Sequence, residues 1–351
     1  MNIFMIHVGN AIIKRDPQKS SAYYLKRFSF PDLIEKDYSK HDIVNADSQM
    51  QSLIKYGVKI SYGHYSKRKS LISLIKSGFK LRKIIVTKNI DLVHVLWGSS
   101  TALMTTIFSS VPVVISFSGS DLLGTVNAAG KLTFGGKINK LFSQIAGLQA
   151  SFIITKSEHL KNLLWKFSKK KAVVIPNGVD LSTFSSIEKN EARRKIGWGK
   201  DEKIILFFDG NGAEVKDPQL ANEVFAIVKE KLSSVHMKII NNVAHEQLKY
   251  YYNGADVMLL TSFHEGSNNS IKEAMSCQLP VVSVNVGDAY DRLNGVTNSS
   301  VVDTRDPVLI AESVIDILKK CNRSNGREFV SSLSLKQCGI KIVEIYKSQI
   351  V

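Results

Sequence analysis

Short apolar, β-branched runs recur along this 351-residue chain, and the segments between them return apolar residues at the three-to-four spacing of helices. In the first half strands are predicted at Asn2–Val8, Val58–Tyr62, Asp91–Leu96, Val111–Phe117, Phe152–Thr155 and Ala172–Ile175. In the second half they are predicted at Lys203–Phe208, His236–Ile240, Asp256–Leu260, Pro280–Val284 and Ser300–Val302. Runs that are apolar throughout, rather than at alternate positions, belong to strands covered on both faces, so parallel sheets with helices on either side are expected. The length is about twice that of one domain. Pro176 and Gly178, within Ile175-Pro-Asn-Gly-Val-Asp180, punctuate the end of a strand and mark the hinge. The expected fold class is therefore α/β, with two Rossmann-like doubly wound domains, 1–178 and 179–334, facing across a cleft. The tail from about 335 to 351 reads as one more helix that packs back on the first domain.

A composition of 44% hydrophobic and 22% charged residues, with 22 Gly and 7 Pro, is that of a globular chain. Cys277, Cys321 and Cys338 are scattered and form no Cys-x-x-Cys pair, which argues against a disulfide framework or a zinc site. The start, MNIFMIHVGN, has too short an apolar stretch for a signal peptide, and no basic residue precedes it, so a cytoplasmic protein is expected. Ala102 to Phe117 is the longest apolar run, but Thr105, Thr106, Ser109, Ser110 and Pro112 interrupt it, and no membrane span is expected.

Charge separates the two halves. Residues 1–178 hold 26 basic and 9 acidic side chains, net +17, and the remainder holds 21 and 22, net −1, giving +16 in all. The densest stretch is His64–Lys88, with Lys67, Arg68, Lys69, Lys76, Lys80, Arg82, Lys83 and Lys88 and no acid. Leu71, Leu74, Ile75, Phe79 and Leu81 interleave there at near-helical spacing. A basic amphipathic helix of this kind suits an anionic membrane surface. It equally suits a solvated helix whose apolar stripe faces the core. Nucleic acid is a weaker reading, because no helix-turn-helix, zinc-finger or ribonucleoprotein pattern accompanies the charge.

In paired domains of this architecture ligands settle beyond the carboxyl ends of the strands, so the loops after strands are the places to search. Gly210-Asn-Gly212 lacks a third glycine, and Gly130-Lys-Leu-Thr-Phe-Gly-Gly-Lys137 lacks the Ser or Thr of a phosphate loop, so neither is a nucleotide fingerprint. Asp256–Asp291 is more informative. A buried strand there meets a polar loop holding Glu265 and Gly266; Asn268 or Asn269 then caps a helix holding Glu273. The N–H groups of Ser267, Asn268, Asn269 and Ser270 and the positive helix end suit an anion. Such a segment fits a nucleotide-sugar, with diphosphate at the helix terminus, one carboxylate on the ribose hydroxyls and the other near the sugar. By itself the spacing fits ordinary acids near a helix N-terminus at least as well.

Glu265-Gly-Ser-Asn-Asn-Ser-Ile-Lys-Glu273-Ala-Met-Ser-Cys-Gln-Leu-Pro-Val-Val-Ser resembles the donor-site signature of the retaining glycosyltransferases of family 4. Three further motifs resemble that family in its order: Phe117-Ser-Gly-Ser-Asp121, Val174-Ile-Pro-Asn-Gly-Val-Asp-Leu181 and Phe207-Phe-Asp-Gly-Asn-Gly-Ala-Glu-Val-Lys216. The resemblance covers about residues 90–320. It implies the two-domain GT-B fold and transfer of a sugar from a nucleotide donor with retention at the anomeric carbon. It also implies Glu273 on the ribose, Glu265 on the donor sugar and Lys216 against the diphosphate. Many members carry Arg where this chain has Asn211, which leaves Lys216 as the only evident cation there or moves the second one elsewhere, and His where it has Ser118. Gly119, Ser120 and Asp121 are implied as acceptor-side residues. UDP is the nucleotide implied by the family, although the residues themselves do not distinguish uracil from guanine.

Departure of a diphosphate develops negative charge that fixed cations and N–H dipoles must meet. The chain has no Asp-x-Asp, so a metal-independent enzyme without cofactor is expected. Gly9-Asn10, after the first strand, suits a close approach of backbone to phosphate or acceptor, or a plain turn. Asn241-Asn-Val-Ala-His245 is a candidate base-recognition loop. His94 reads as a core histidine, His264 as a neighbour of the site, Asp288 and Asp291 as helix caps and Cys277 as packing. The leading expectation is a peripheral enzyme on the inner face of the cytoplasmic membrane, acting on a lipid-linked or saccharide acceptor in surface polysaccharide or lipopolysaccharide synthesis. A sugar-nucleotide epimerase or hydrolase on the same fold, or a non-catalytic basic binding module, are the alternatives.

Overall fold

The computed structural model describes residues 1–8, 34–36, 47–65, 71–127 and 131–350. Gly9, Asn10, Lys67, Arg68 and Lys69 lie outside the described residues. The chain divides into two compact units: Met1–Thr125, Thr133–Pro176 and Lys336–Val351 form one, and Val126–Leu132 and Asn177–Leu335 the other. The change-over thus comes at Asn177, just before Gly178, and the C-terminal helix folds with the first unit.

In the first unit the described strands are β1 (Asn2–Val8), β2 (Ile34–Lys36), β3 (Lys59–Tyr65), β4 (Leu92–Val95), β5 (Val113–Phe117), β6 (Phe152–Thr155) and β7 (Ala172–Val174). They lie in the order β2-β3-β1-β4-β5-β6-β7, parallel except for the edge pair β2–β3. β2 is absent from the sequence reading; a three-residue edge strand carries no apolar run to announce it. β3 reaches Tyr65, beyond the expected Tyr62, because it pairs with all of β1 from Asn2↔Lys59 to Val8↔Tyr65. His64 and Tyr65 therefore end a strand and do not open the basic helix.

Ahead of the second unit the described helices are α1 (Asp47–Ile54), α2 (Leu71–Thr87), α3 (Ser99–Phe108), α4 (Ser120–Leu123), α5 (Phe134–Gln149), α6 (Glu158–Asn162) and α7 (Lys166–Lys170). The apolar character of the strands has a direct cause. Phe4 and Ile6, Val93 and Val95, and Val113, Ile115 and Phe117 point to one face and pack with Leu81, Ile84 and Ile85 of α2 and Ala146 of α5. The alternate residues Ile3, Met5, Leu92 and Val114 point to the other face and meet the C-terminal helix through Cys338, Ile342, Val343 and Tyr346. The expected single stripe of the basic helix divides: Leu74 and Leu81 are buried, whereas Ile75 and Phe79 are exposed.

The second unit carries α8 (Lys189–Ile196), β8 (Lys203–Phe207), α9 (Pro218–Lys231), β9 (Val235–Ile239), α10 (Leu248–Gly254), β10 (Val257–Leu260) and α11 (Asn269–Ser276). It continues through β11 (Val281–Val284), α12 (Ala289–Leu293), β12 (Ser300–Val302), α13 (Pro307–Lys320) and α14 (Gly326–Val330), before α15 (Leu335–Gln349) returns to the first unit. Its sheet is parallel throughout, in the order β12-β11-β10-β8-β9. Ile204, Leu206, Met258 and Leu260 build one core; Ile205, Phe207, Val257 and Leu259 build the other. Among the described residues no helix is long and apolar enough to cross a membrane.

Candidate functional site

The sheet order makes β8 and β10 neighbours, so the loops leaving their carboxyl ends emerge side by side. After β8 the chain turns tightly: Gly210, Asn211 and Gly212 have φ of 62°, 63° and 76°, in the left-handed region that glycine and asparagine tolerate best. A short 3-10 turn, Glu214–Lys216, leads to Asp217, whose carboxylate accepts from the Leu220 N–H at 3.2 Å and caps α9 ahead of Pro218. This loop is stitched to the exit of β10. The Thr261 hydroxyl donates to the carbonyls of Lys216 and Asp217 at 2.8 and 3.0 Å, and the Phe263 N–H donates to Val215 at 2.9 Å.

That stitching brings Lys216 and Glu265 together across 49 residues of sequence. Lys216 Nζ donates to Glu265 Oε1 at 2.6 Å, and the Ser262 hydroxyl donates to the same oxygen at 2.8 Å. Both side chains are largely but not wholly covered, at 22% and 13% exposure, so the pair keeps much of its attraction while remaining reachable. Gly287 lies against this loop with φ of 61°, and a Cβ there would meet the Glu265 carbonyl oxygen at 2.8 Å.

Glu273 occupies a different environment. Asn268 is the cap of α11, its Oδ1 accepting from the Ile271 N–H at 3.1 Å. One turn further, buried Glu273 accepts from the Tyr252 hydroxyl through Oε2 at 2.7 Å and meets His245 Nε2 through Oε1 at 2.9 Å. The Phe184 ring stands edge-on to both His245 and Tyr252, at 5.1 and 5.8 Å between centroids. The hydrogen bond to Glu273 holds the His245 imidazolium above its usual range, with Glu246 and Asp180 adding to the effect. Burial, reinforced by the Glu273 charge, pushes the Tyr252 hydroxyl well above its ordinary value. The carboxylate is thus oriented on two sides, and each of its oxygens keeps a second lone pair.

Two further cations lie beside these loops. Lys272, with 1% exposure, donates to the Asn177 carbonyl at 2.9 Å and to the Ser267 hydroxyl at 3.2 Å, tying the loop ahead of α11 to the start of the unit. Arg305 follows β12, pairs with Asp217, donates to the Thr261 and Ser262 carbonyls and lies 4.4 Å over the Phe263 ring. The rule of searching loops after strands would have found Arg305; nothing in the sequence singles out Lys272 within its helix. Asn211 is exposed and donates its backbone N–H to Asp209 at 2.9 Å. Asn241, at the exit of β9, is 3.5 Å from both oxygens of Asp209, so the candidate base loop adjoins the β8 loop. Asp288 begins α12, but its buried carboxylate holds Arg292 at 2.8 Å and caps no N–H group. Cys277 is buried, its thiol pushed up to about 12 by loss of solvent.

In the first unit the expected acceptor residues form a closed loop. Asp121 is buried and accepts backbone N–H groups from Gly98, Ser118, Gly119 and Leu122, while Ser120 opens α4. Burial raises its pKa against the pull of those donors. Lys156, buried after β6, is lowered to about 8 by the same loss of solvent. His94 is indeed a core residue, bonded to Tyr346 at 2.5 Å and Ser116 at 2.8 Å, and burial lowers its pKa to about 3. Among the described residues no group of three or more His, Cys, Asp or Glu side chains is placed to hold a metal ion.

Comparison with known proteins bears on both units. The sequence profile of the family described as Glycosyltransferase Family 4 matches residues 37–183, and that described as Glycosyl transferases group 1 matches residues 200–320. A Methanocaldococcus jannaschii protein described as an uncharacterized glycosyltransferase is 24% identical over 333 residues, covering 89% of this chain and 90% of that one. The Bacillus subtilis protein TuaC, described as a putative teichuronic acid biosynthesis glycosyltransferase, is 23% identical over 64% of this chain and 60% of its own length. The crystal structure of Anabaena HepE in complex with UDP-glucose superposes with a TM-score of 0.65 at 14% identity, covering 98% of this chain and 99% of that one.

Proposed function

Since the chain belongs to glycosyltransferase family 4 and has the two-domain GT-B fold, we propose that it transfers a sugar from a UDP-sugar, with retention and without a metal, to a lipid-linked or saccharide acceptor. Glu273 takes the ribose hydroxyls on the lone pairs left free by Tyr252 and His245. Glu265 faces the donor sugar, and Lys216 turns an ammonium proton toward the diphosphate as the bond to the anomeric carbon breaks. The acceptor oxygen replaces the phosphate oxygen at that carbon, and its proton passes to the departing diphosphate. The N–H groups of Asn269 and Ser270, in the first turn of α11, and the loop of Gly266 and Ser267 supply further donors without reorganisation. Asn211 and the Asn241 loop lie beside the base.

The observation that carries this reading is the Lys216–Glu265 contact at 2.6 Å, at the joined exits of β8 and β10. A cation whose partner is a single carboxylate oxygen keeps two protons for a phosphate, and the departing diphosphate is the charge it is suited to meet. The likeness to TuaC supports a role in surface polysaccharide synthesis, and the likeness to a UDP-glucose complex supports the donor. The basic first unit supports an anionic, membrane-held acceptor at the inner face of the cytoplasmic membrane, with Gly119, Ser120 and Asp121 shaping the loop that receives it.

Incubation with radiolabelled UDP-glucose, UDP-N-acetylglucosamine or UDP-galactose and a detergent-solubilised polyprenyl-diphosphate sugar tests the reading. The expected product is a labelled lipid-linked saccharide. Free sugar or an epimerised nucleotide-sugar as sole product, with no transfer, would replace it with the hydrolase or epimerase alternative.

A further inference from the structure

Helices α2, α3 and α5 lie over one face of the first unit's sheet, with α3 packed between the other two and α7 beside α5. Their inward faces complete the core. The outward faces carry large apolar residues among their charges, where helices facing water are usually polar throughout. On α2, Ile72, Phe79 and Val86 are 67%, 61% and 68% exposed, and on α5, Phe134, Leu141 and Leu148 are 80%, 49% and 40% exposed. Each trio is spaced by seven residues, which keeps it on one line of its helix. Trp165 and Phe167, at the start of α7, are also exposed.

Cations flank these lines. Lys76, Lys80, Arg82 and Lys83 are exposed on α2, Lys137 on α5, and Lys166 and Lys170 on α7. None of α2, α3, α5 and α7 contains an Asp or Glu. By contrast, the exposed large apolar residues of the second unit, Leu132, Ile239, Tyr290, Val308, Leu309 and Phe329, form no such line, and of them only Val308 and Leu309 share a helix.

We propose that this four-helix face docks the protein on an anionic lipid leaflet, with the apolar lines of α2 and α5 and the ring of Trp165 set among the headgroups and the lysines against lipid phosphates. Charge selects this occupant. A second copy on the same face would bring two acid-free basic surfaces together, whereas an anionic leaflet offers negative charge and an apolar layer at once. The proposal deepens the reading of a lipid-linked acceptor and rests on it only for what the docking serves.

The full chain is mixed with phosphatidylcholine vesicles, with or without phosphatidylglycerol, and its sedimentation and tryptophan emission are followed. Co-sedimentation with the anionic vesicles is expected, along with quenching by brominated lipid that Trp165→Phe removes. The triple change V86S, F134S and L141S, made at exposed positions and checked by thermal melting, is expected to weaken binding at least ten-fold even in high salt, where the cations are screened. The proposal is overturned if vesicles are not bound, if the triple variant binds unchanged, or if the same substitutions instead dissociate a dimer. UDP titration in parallel separates the two readings: failed docking with intact UDP binding removes this proposal alone, and docking without UDP binding removes the donor assignment.

Discussion

The two units share one architecture and use charge in opposite ways. In the second unit, ionised groups are drawn inward to the strand exits and matched there: Lys216 with Glu265, and His245 with Glu273. In the first, several titratable groups within and just after the strands are buried, Lys156 after β6 among them. Asp121 is surrounded by N–H donors and His94 is held neutral, while the lysines line the outer helices. Doubly wound α/β units thus supply a rigid frame whose loops and helix faces decide the chemistry. In the functions proposed above, one unit would meet charge that develops in a reaction and the other charge that is already present on a surface.

The sharpest test of this contrast is kinetic. Lys216→Ala is expected to lower kcat by about 100- to 1000-fold while the donor KM moves far less. Lys216→Ala with Glu265→Gln should cost less than the two separate losses combined, because each partner acts through the other; strictly additive losses would show that the contact is incidental. Next in size, Glu273→Ala is expected to weaken UDP binding by about 100-fold in a calorimetric titration, given ~1.5–3 kcal/mol for a hydrogen bond to a charged group. Affinity unchanged within two-fold would remove the ribose assignment.

A smaller effect separates the units by pH. His94 has a folded pKa of about 3, below that of the unfolded chain. Its contribution to stability is complete above about pH 6.5 and declines as the pH falls, by about 2 kcal/mol at pH 5. The raised pKa of His245 has the opposite sign. Its contribution is complete below about pH 6.5 and is lost as the pH rises through the elevated value. Denaturant melts between pH 5 and 9 should therefore show the acid slope flattened in His94→Gln and the alkaline slope flattened in His245→Gln. Smallest of all, Lys76→Ala with Lys80→Ala and Lys83→Ala should change stability by less than about 0.5 kcal/mol, since no ion pair among the described residues holds these side chains. A large loss would mean that the basic helix is part of the scaffold.

Much of the scaffold was legible because strands buried on both faces must be apolar at successive positions, and that signal is local. The edge strand Ile34–Lys36 lacked it and was missed. Motif order made Glu265, Glu273 and Lys216 visible as candidates. Their separation into two environments was not visible, since it depends on Thr261 fastening one loop to another and on Tyr252 and His245 reaching Glu273 from elsewhere in the chain. Arg305 and Lys272 escaped notice for the same reason: a cation's meaning lies in what folding places beside it. Likewise, Ile75 and Leu74 are adjacent and equally apolar, yet one faces out and the other in.

By itself, then, the sequence determined the two-unit α/β plan, the motif-bearing loops and the uneven division of charge, because periodicity, spacing and composition are properties of neighbours along the chain. The tertiary structure alone decided which carboxylate meets which cation, which histidine stays neutral and which face of a helix remains uncovered. Those outcomes depend on distance and burial, which a linear order of residues does not contain.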